Sequence, residues 1–176
     1  VGEGSASVFF LRENINGISD WLVTNEHVLT REMIERGQSF IVQFACIFKH
    51  DQIFTLNKYK RKIYYFAHEA EDLVLIQVLP YDFVEHEMYF TLDQDYFSKG
   101  PEAYLNDKFT IYQFPYGEKV HVSKGKIERI SSTEYRFYHL ASTDSGSSGS
   151  PILTESGKVF GVHSGAVDDQ MNFGSF

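Results

Sequence analysis

The stretch "STDSGSSGSPIL", residues 142–153, packs five serines and two glycines ahead of one proline, and "KVFGVHSG" follows at 158–165. A phosphate cradle would need a Gly-rich turn running into Lys and Ser or Thr at a helix start, and none is present. A hydrolase nucleophile elbow would read G-x-S-x-G, but the residue two after Ser148 is Ser150. What fits is G-x-S-G-S-P, with Ser148 as a nucleophile near two glycines, Gly146 and Gly149. Gly146 permits a tight turn in which its own N–H and that of Ser148 can face one developing oxyanion.

A serine hydroxyl attacks poorly unless a general base takes its proton. Histidines stand at 27, 50, 68, 86, 121, 139 and 163. His27, in "WLVTNEHVLT", ends an apolar strand at the edge of a core, where packing can fix the imidazole; alone it would read as a satisfied surface histidine. An imidazole base also needs an acceptor for its other nitrogen. Asp72 opens the apolar run "DLVLIQV" and is either a solvated group at a strand start or a buried orienter. The three residues run along the chain in the order His, Asp, Ser.

These groups must be held by short strands. "SASVFFL" (5–11), "DWLVTN" (20–25), "SFIVQFACIF" (39–48), "KIYYFA" (62–67) and "DLVLIQVL" (72–79) are rich in β-branched and aromatic residues. "KFTIYQF" (108–114), "EKVHVSKGKIERI" (118–130), "YRFYHLA" (135–141), "PILT" (151–154) and "KVFGVHSG" continue the pattern. Turn residues separate them, among them Asn16-Gly17, Gly100-Pro101 and Pro115 to Gly117. A short helix is expected at "TREMIERG", with Thr30 as N-cap and Gly37 as C-cap, and another in "YDFVEHEMYF". This spacing predicts an all-β barrel or sandwich. The less regular, more acidic stretch near 80–105 reads as a connection between two halves.

Composition narrows the function classes. The chain has 176 residues, 43% hydrophobic and 16% aromatic, which is ample for a core. A net charge of −8 argues against a nucleic-acid partner, since phosphates are bound by clustered Lys and Arg. The densest basic run, "KYKRK" at 58–62, reads as a solvated strand end or hairpin. Cys46 is the only cysteine, so no internal disulfide is possible, and it is expected to be an inert thiol in a core strand. No apolar stretch approaches the ~20 residues of a membrane span. The chain opens on Val1 without a signal-peptide pattern, so its start is read as processed or trimmed and the compartment stays open.

With these residues in view, "LVTNEHVLT" resembles the L-T-x-x-H-V strand end of the chymotrypsin superfamily of serine proteases. "EDLVLIQV" resembles the strand that carries that superfamily's acid, and "TDSGSSGSPIL" its nucleophile loop. "IYQFPYG" is similar to a G-Y-P-x-G turn of the bacterial members. "SKGKI" and the run from Ser142 to Gly165 look closest to the bacterial glutamyl endopeptidases, with S-T-x-G-G-N-S-G-S-P and G-I-H-x-G-G. The resemblance covers nearly the whole chain. It implies two antiparallel six-stranded β-barrels with the site between them: residues 1–79 carrying His27 and Asp72, a connection at 80–102, and residues 103–176 carrying Ser148.

By that resemblance the chain is a serine endopeptidase in which Ser148 attacks, His27 is base and acid, and Asp72 orients it. Gly146 and Ser148 form the oxyanion hole. The residue six before the nucleophile, Ser142, sets the pocket floor and offers nothing to Lys or Arg. Thr143 and His163 read the side chain before the cut bond, Glu or Gln, with protonated His163 adding charge assistance; His163 as a plain pocket wall is the alternative. Asp144 would oppose a carboxylate there. The expected partner is a protein or peptide substrate, with no nucleic acid, membrane, cofactor or metal. Two features depart from the family. Ser147 replaces the Asp that pairs with a newly cut amino terminus, so that activation route is closed. The chain also ends eleven residues after Gly165, which suggests one domain of a longer protein. A pseudoprotease or peptide-binding module remains the alternative from another class; a cysteine nucleophile does not, because Cys46 is far from the loop.

Overall fold

The first strands are covered on both faces: Phe9–Leu11 and Trp21–Val23 are buried without a break and alternate between two apolar clusters. In the computed structural model, which describes residues 4–45, 49–66 and 71–176, the fold is mostly β with few helices. The first half holds β1 (Phe9–Ile15), β2 (Ile18–Thr24), the helix α1 (Arg31–Glu35), β3 (Ser39–Val42), β4 (Gln52–Thr55), β5 (Ile63–Phe66) and β6 (Leu73–Gln77). β7 (Tyr89–Phe90) and α2 (Asp95–Lys99) lead to β8 (Lys108–Gln113), β9 (His121–Ser131), β10 (Arg136–His139), β11 (Pro151–Leu153), β12 (Val159–Ala166) and β13 (Asn172–Ser175).

The second half closes as a six-stranded barrel in the order β10-β13-β12-β11-β8-β9, with β9 pairing β10 to complete the ring. The first half differs from a second six-stranded ring. Its described strands form an open five-stranded sheet, β5-β6-β2-β1-β7, and a separate β3-β4 hairpin. β7 joins the edge of that sheet parallel to β1, through Phe10 opposite Tyr89 and Leu11 opposite Phe90.

Three apolar clusters hold these layers. One fills the first half around Leu22, Phe54, Val74 and Ile76, and one fills the barrel around Phe109, Ile127, Phe137 and Ile152. The third joins the halves: Phe9, Leu11, Trp21, Val23 and Leu75 pack against Leu153, Val159 and Val162. Removing such side chains from water is worth about 1.5–3 kcal/mol each, so this seam is a strong constraint on how the halves sit.

Several local expectations need adjusting. α1 forms as expected, with Thr30 Oγ1 accepting the Met33 N–H, but Arg36 is the C-cap and Gly37 follows at φ +61. In place of a helix over 81–90 there are two 3₁₀ turns, Pro80–Asp82 and His86–Met88, before β7. In "KYKRK", Tyr59 is exposed but Arg61 is buried. The Arg61 guanidinium donates to both oxygens of buried Asp82, at 3.0 and 3.1 Å, and to Gln77 O at 2.9 Å. A planar fork meeting a carboxylate can be satisfied away from water, which a lysine in the same run could not match. Cys46 and His68 lie outside the described residues; of the strand expected over 39–48, Ser39–Val42 forms β3, with Val42 buried and Ile41 exposed.

Candidate functional site

β2 runs buried through Thr24 and then leaves the sheet at Asn25, Glu26 and His27. Across from it, Asp72 sits one residue before β6 with φ +34, a left-handed backbone that Asp tolerates better than most residues. This turn aims the carboxylate at His27. Asp72 Oδ1 accepts the His27 backbone N–H at 3.0 Å, and the ring Nδ1 lies 3.0 Å from Oδ1 and 2.8 Å from Oδ2. The hydrogen bond to the carboxylate raises the His27 pKa above its ordinary value, against an opposing effect of partial burial. The carboxylate is more sheltered than the ring, with side chains 18% and 46% exposed.

Buried Asn25 links this pair to the other half. Its amide donates to Asp72 O at 2.9 Å and to Ser164 Oγ on β12 at 3.3 Å. Ser164 in turn offers its carbonyl to the Ser148 hydroxyl at 3.1 Å. His27 and Asp72 are thus in direct contact, whereas no hydrogen bond joins His27 to Ser148 among the described residues; the Ser148 hydroxyl rests on Ser164 O, and Asn25 and Ser164 bridge the two halves. The charge of His27 also contributes to depressing the pKa of His163.

The loop around Ser148 is anchored almost atom by atom. Ser145 O accepts Tyr116 N–H at 2.6 Å, Ser147 O accepts Ser150 N–H at 3.1 Å, and Ser148 O accepts Ser7 N–H at 2.8 Å. Ser147 N–H donates to Asp144 O at 3.0 Å, and Gly149 N–H to His163 O at 2.9 Å. Of the N–H groups from 146 to 150, only those of Gly146 and Ser148 make no hydrogen bond among the described residues. Gly146 has φ +96, and a Cβ there would meet Phe114 O and Tyr116 N at 2.8 Å. Gly149 has φ +87, and a Cβ there would lie 2.0 Å from Ser7 O. Both glycines are required by close backbone approach as well as by conformation.

The candidate specificity residues are more dispersed. Ser142 is exposed, with its carbonyl held by Gln113 Nε2 at 3.0 Å and Ser123 Oγ at 2.8 Å. Thr143 Oγ1 donates to Asn172 Oδ1 at 2.8 Å, and the Asn172 amide donates to Ala141 O at 3.0 Å. His163 is 2% exposed, and its Nδ1 lies 3.3 Å from Nε2 of fully buried His139. Burial pushes the His163 pKa down to about 3, with His139 and His27 adding to the effect, and burial alone takes His139 to about 4. The expected charge assistance from a protonated His163 is therefore absent from the ground state: this imidazole is neutral near pH 7. No hydrogen bond joins Thr143 to His163 among the described residues, and Asp144 is exposed. Among those residues there is also no cluster of three or more His, Cys, Asp or Glu placed to hold a metal ion. No helix there is long and apolar enough to cross a membrane.

The sequence pattern of a trypsin-like peptidase domain matches residues 5–162. The chain belongs to the trypsin-like peptidase family. Among its curated relatives, a glutamyl endopeptidase of Staphylococcus aureus (strain MRSA252) is 37% identical over 78 residues, 43% of this chain and 21% of the relative. A glutamyl endopeptidase of Staphylococcus epidermidis is 31% identical over 105 residues, 57% of this chain and 36% of the relative. The matched part is thus well under two thirds of either relative's length. Among solved structures, a Glu endopeptidase aligns over 99% of this chain and 80% of its own, at 17% identity and a TM-score of 0.69. A human pathogenic astrovirus serine protease aligns over 100% of this chain and 85% of its own, at 16% identity and a TM-score of 0.65. At those identities the alignments establish a chymotrypsin-like fold.

Four residues of this trypsin-like peptidase site escape a reading along the chain: Ser7, Asn25, His139 and Ser164. All are buried polar groups whose partners come from distant segments. The only local hint was an unusual amount of polarity at the end of β2 and in "HSG".

Proposed function

We propose that this peptidase domain is a serine endopeptidase acting by acyl transfer, with Ser148 as nucleophile, His27 as general base and acid, and Asp72 as its orienter. The observation that carries the reading is the His27–Asp72 pair tied through Asn25 and Ser164 to Ser148. With Nδ1–H directed at Asp72, His27 keeps a lone pair on Nε2. The Ser148 hydroxyl leaves Ser164 O for that nitrogen by rotating about its Cα–Cβ bond, a change between staggered wells. Its oxygen then bonds to the substrate carbonyl carbon as the proton passes to Nε2. The N–H groups of Gly146 and Ser148 hold the resulting oxyanion. Nε2 returns the proton to the departing amine as the C–N bond breaks. Water repeats the sequence on the ester, restoring Ser148 and releasing the acid.

The two halves divide this work as residues 1–79, the connection 80–102 and residues 103–176, with the first half the counterpart of a second barrel. Cleavage follows Glu or Gln, read by Thr143 and His163. The glutamyl endopeptidase names of the staphylococcal relatives favour that choice, and so do two features of the pocket residues. An unpaired N–H is more costly than an unpaired acceptor, so His139 donates from Nε2 and leaves its buried Nδ1 bare. His163 then presents Nε2–H, a neutral donor suited to a carboxylate or carboxamide oxygen. Ser142, without charge, offers nothing to Lys or Arg. Profiling cleavage sites in a proteome-derived peptide library tests the reading: cuts should fall after Glu and Gln and vanish in Ser148→Ala. Cleavage that survives in that variant overturns it.

A further inference from the structure

We propose that Ser7, outside the triad and ahead of β1, is the positioning residue that sets the Gly146 N–H of the nucleophile loop for the oxyanion. The inference rests on the serine-endopeptidase reading above. Ser7 is 1% exposed and bonds this loop with both its side chain and its backbone. Its hydroxyl donates to Gly146 O at 2.9 Å and accepts the Phe114 N–H at 3.1 Å. Its backbone N–H donates to Ser148 O at 2.8 Å, while its carbonyl accepts Thr24 Oγ1 at 2.9 Å.

A trans peptide points its C=O and N–H in opposite directions, so holding one fixes the other. Ser7 holds the carbonyl of Gly146 on one side of the nucleophile and that of Ser148 on the other. Those two carbonyls belong to the peptides that carry the Ser147 and Gly149 N–H groups, so Ser7 clamps the loop just after each oxyanion donor, while the peptide of the Ser148 N–H is held at Ser147 O by the Ser150 N–H. The same hydroxyl fixes the 114–117 turn, whose Tyr116 N–H holds Ser145 O at 2.6 Å and so turns the Gly146 N–H the other way. Thr24, one residue from Asn25, ties Ser7 to the end of β2 that carries the general base. Ser7 thus sets the Gly146 donor relative to His27.

The hydroxyl makes its two bonds at the oxyanion side alone, which separates positioning from general stability. In Ser7→Ala the backbone bonds survive, but the buried Gly146 carbonyl and Phe114 N–H lose their partner. Removing an oxyanion donor outright costs about 10²–10³-fold in kcat, so misplacing the Gly146 donor without removing it should cost about 10–100-fold. KM should stay within about twofold, because the loss is confined to the transition state.

The test compares wild type, Ser7→Ala and Ile127→Val, the last a barrel-core change expected to cost about 0.5–1.5 kcal/mol of stability without touching the loop. Steady-state kinetics on the best peptide substrate are paired with inhibition by a peptidyl aldehyde of the same sequence, whose hemiacetal places an oxyanion on the same N–H groups. In Ser7→Ala, kcat should fall and the aldehyde Ki rise by similar factors, with both unchanged in Ile127→Val. If Ser7→Ala does not fold, Ser7→Cys, similar in size with a weak donor, should move both quantities the same way by less. A kcat loss no greater than in Ile127→Val, a loss carried by KM, or an unchanged aldehyde Ki overturns the inference while leaving the triad intact. A wild type that neither hydrolyses peptides nor reacts with a fluorophosphonate overturns the endopeptidase reading and this inference with it.

Discussion

Replacing Asp72 by Asn tests the base–orienter pair with almost no change in shape. Asp72 Oδ1 accepts the His27 backbone N–H at 3.0 Å, and Oδ2 meets the ring Nδ1 at 2.8 Å. In Asp72→Asn the amide oxygen must stay on the backbone N–H, since an NH₂ group cannot accept it. The NH₂ then faces Nδ1, and two donors cannot share a hydrogen bond. The imidazole is driven to carry its proton on Nε2, where it can no longer take one from Ser148. A wrong tautomer of this kind lowers kcat by about 10⁴-fold near neutral pH, about 5.4 kcal/mol of barrier. The same change removes the largest cause of the raised His27 pKa. The acid limb of kcat/KM should therefore move down, toward the ordinary histidine value of about 6.5. The sign for stability follows from the same shift. The carboxylate favours protonated His27 in the folded state, so its stabilisation is fully present below the ordinary histidine pKa and lost as pH rises through the raised one. Kinetics on a fluorogenic peptide across the pH range, with thermal melts at both ends, provide the readout. A kcat loss below about tenfold, or an acid limb that stays in place, would refute the reasoning.

Two further outcomes follow from the buried histidines. His139 and His163 are held neutral in the fold and charge readily when unfolded, so stability should be full above about pH 6.5 and fall as acid is added toward their folded values of about 4 and about 3. Their joint contribution to the slope is at most about 2.7 kcal/mol per pH unit, and urea melts of His139→Gln should lose about half of it. For specificity, peptides with Glu or Gln before the cut should exceed the Leu peptide by about 10⁴-fold, and His163→Ala should collapse that ranking. Because His163 is neutral, the Glu-to-Gln ratio should be flat near neutral pH, while Asn172→Ala, by freeing the Thr143 proton, should raise it; competition assays on paired peptides measure both.

Much of the candidate site was legible because it depends on local chemistry. The glycines on either side of Ser148, Gly146 and Gly149, mark a turn that no other residue permits, and His27 and Asp72 stand at the ends of apolar runs. The same logic found most of the longer strands, whose β-branched and aromatic residues recur in register. It missed β4, β7 and β13, whose short "QIFT", "YF" and "NFGS" segments are recruited by their partners rather than by their own propensity. Arg61 was hidden in a basic run because its carboxylate lies 21 residues away in sequence. Ser7 and His139 carry no local signature: each is a small or ordinary polar residue whose role comes from a partner on another segment. The charge state of His163 was equally out of reach, since it is set by burial against His139.

The central claim is that Ser148 is the nucleophile activated by His27. Peptide mapping by mass spectrometry after fluorophosphonate treatment measures this most directly. The account predicts one adduct on Ser148, absent from Ser148→Ala and slowed by orders of magnitude in His27→Ala, because the triad works as a unit. An adduct on Ser147 or Ser150, or labelling of Ser148 at an unchanged rate without His27, would contradict it.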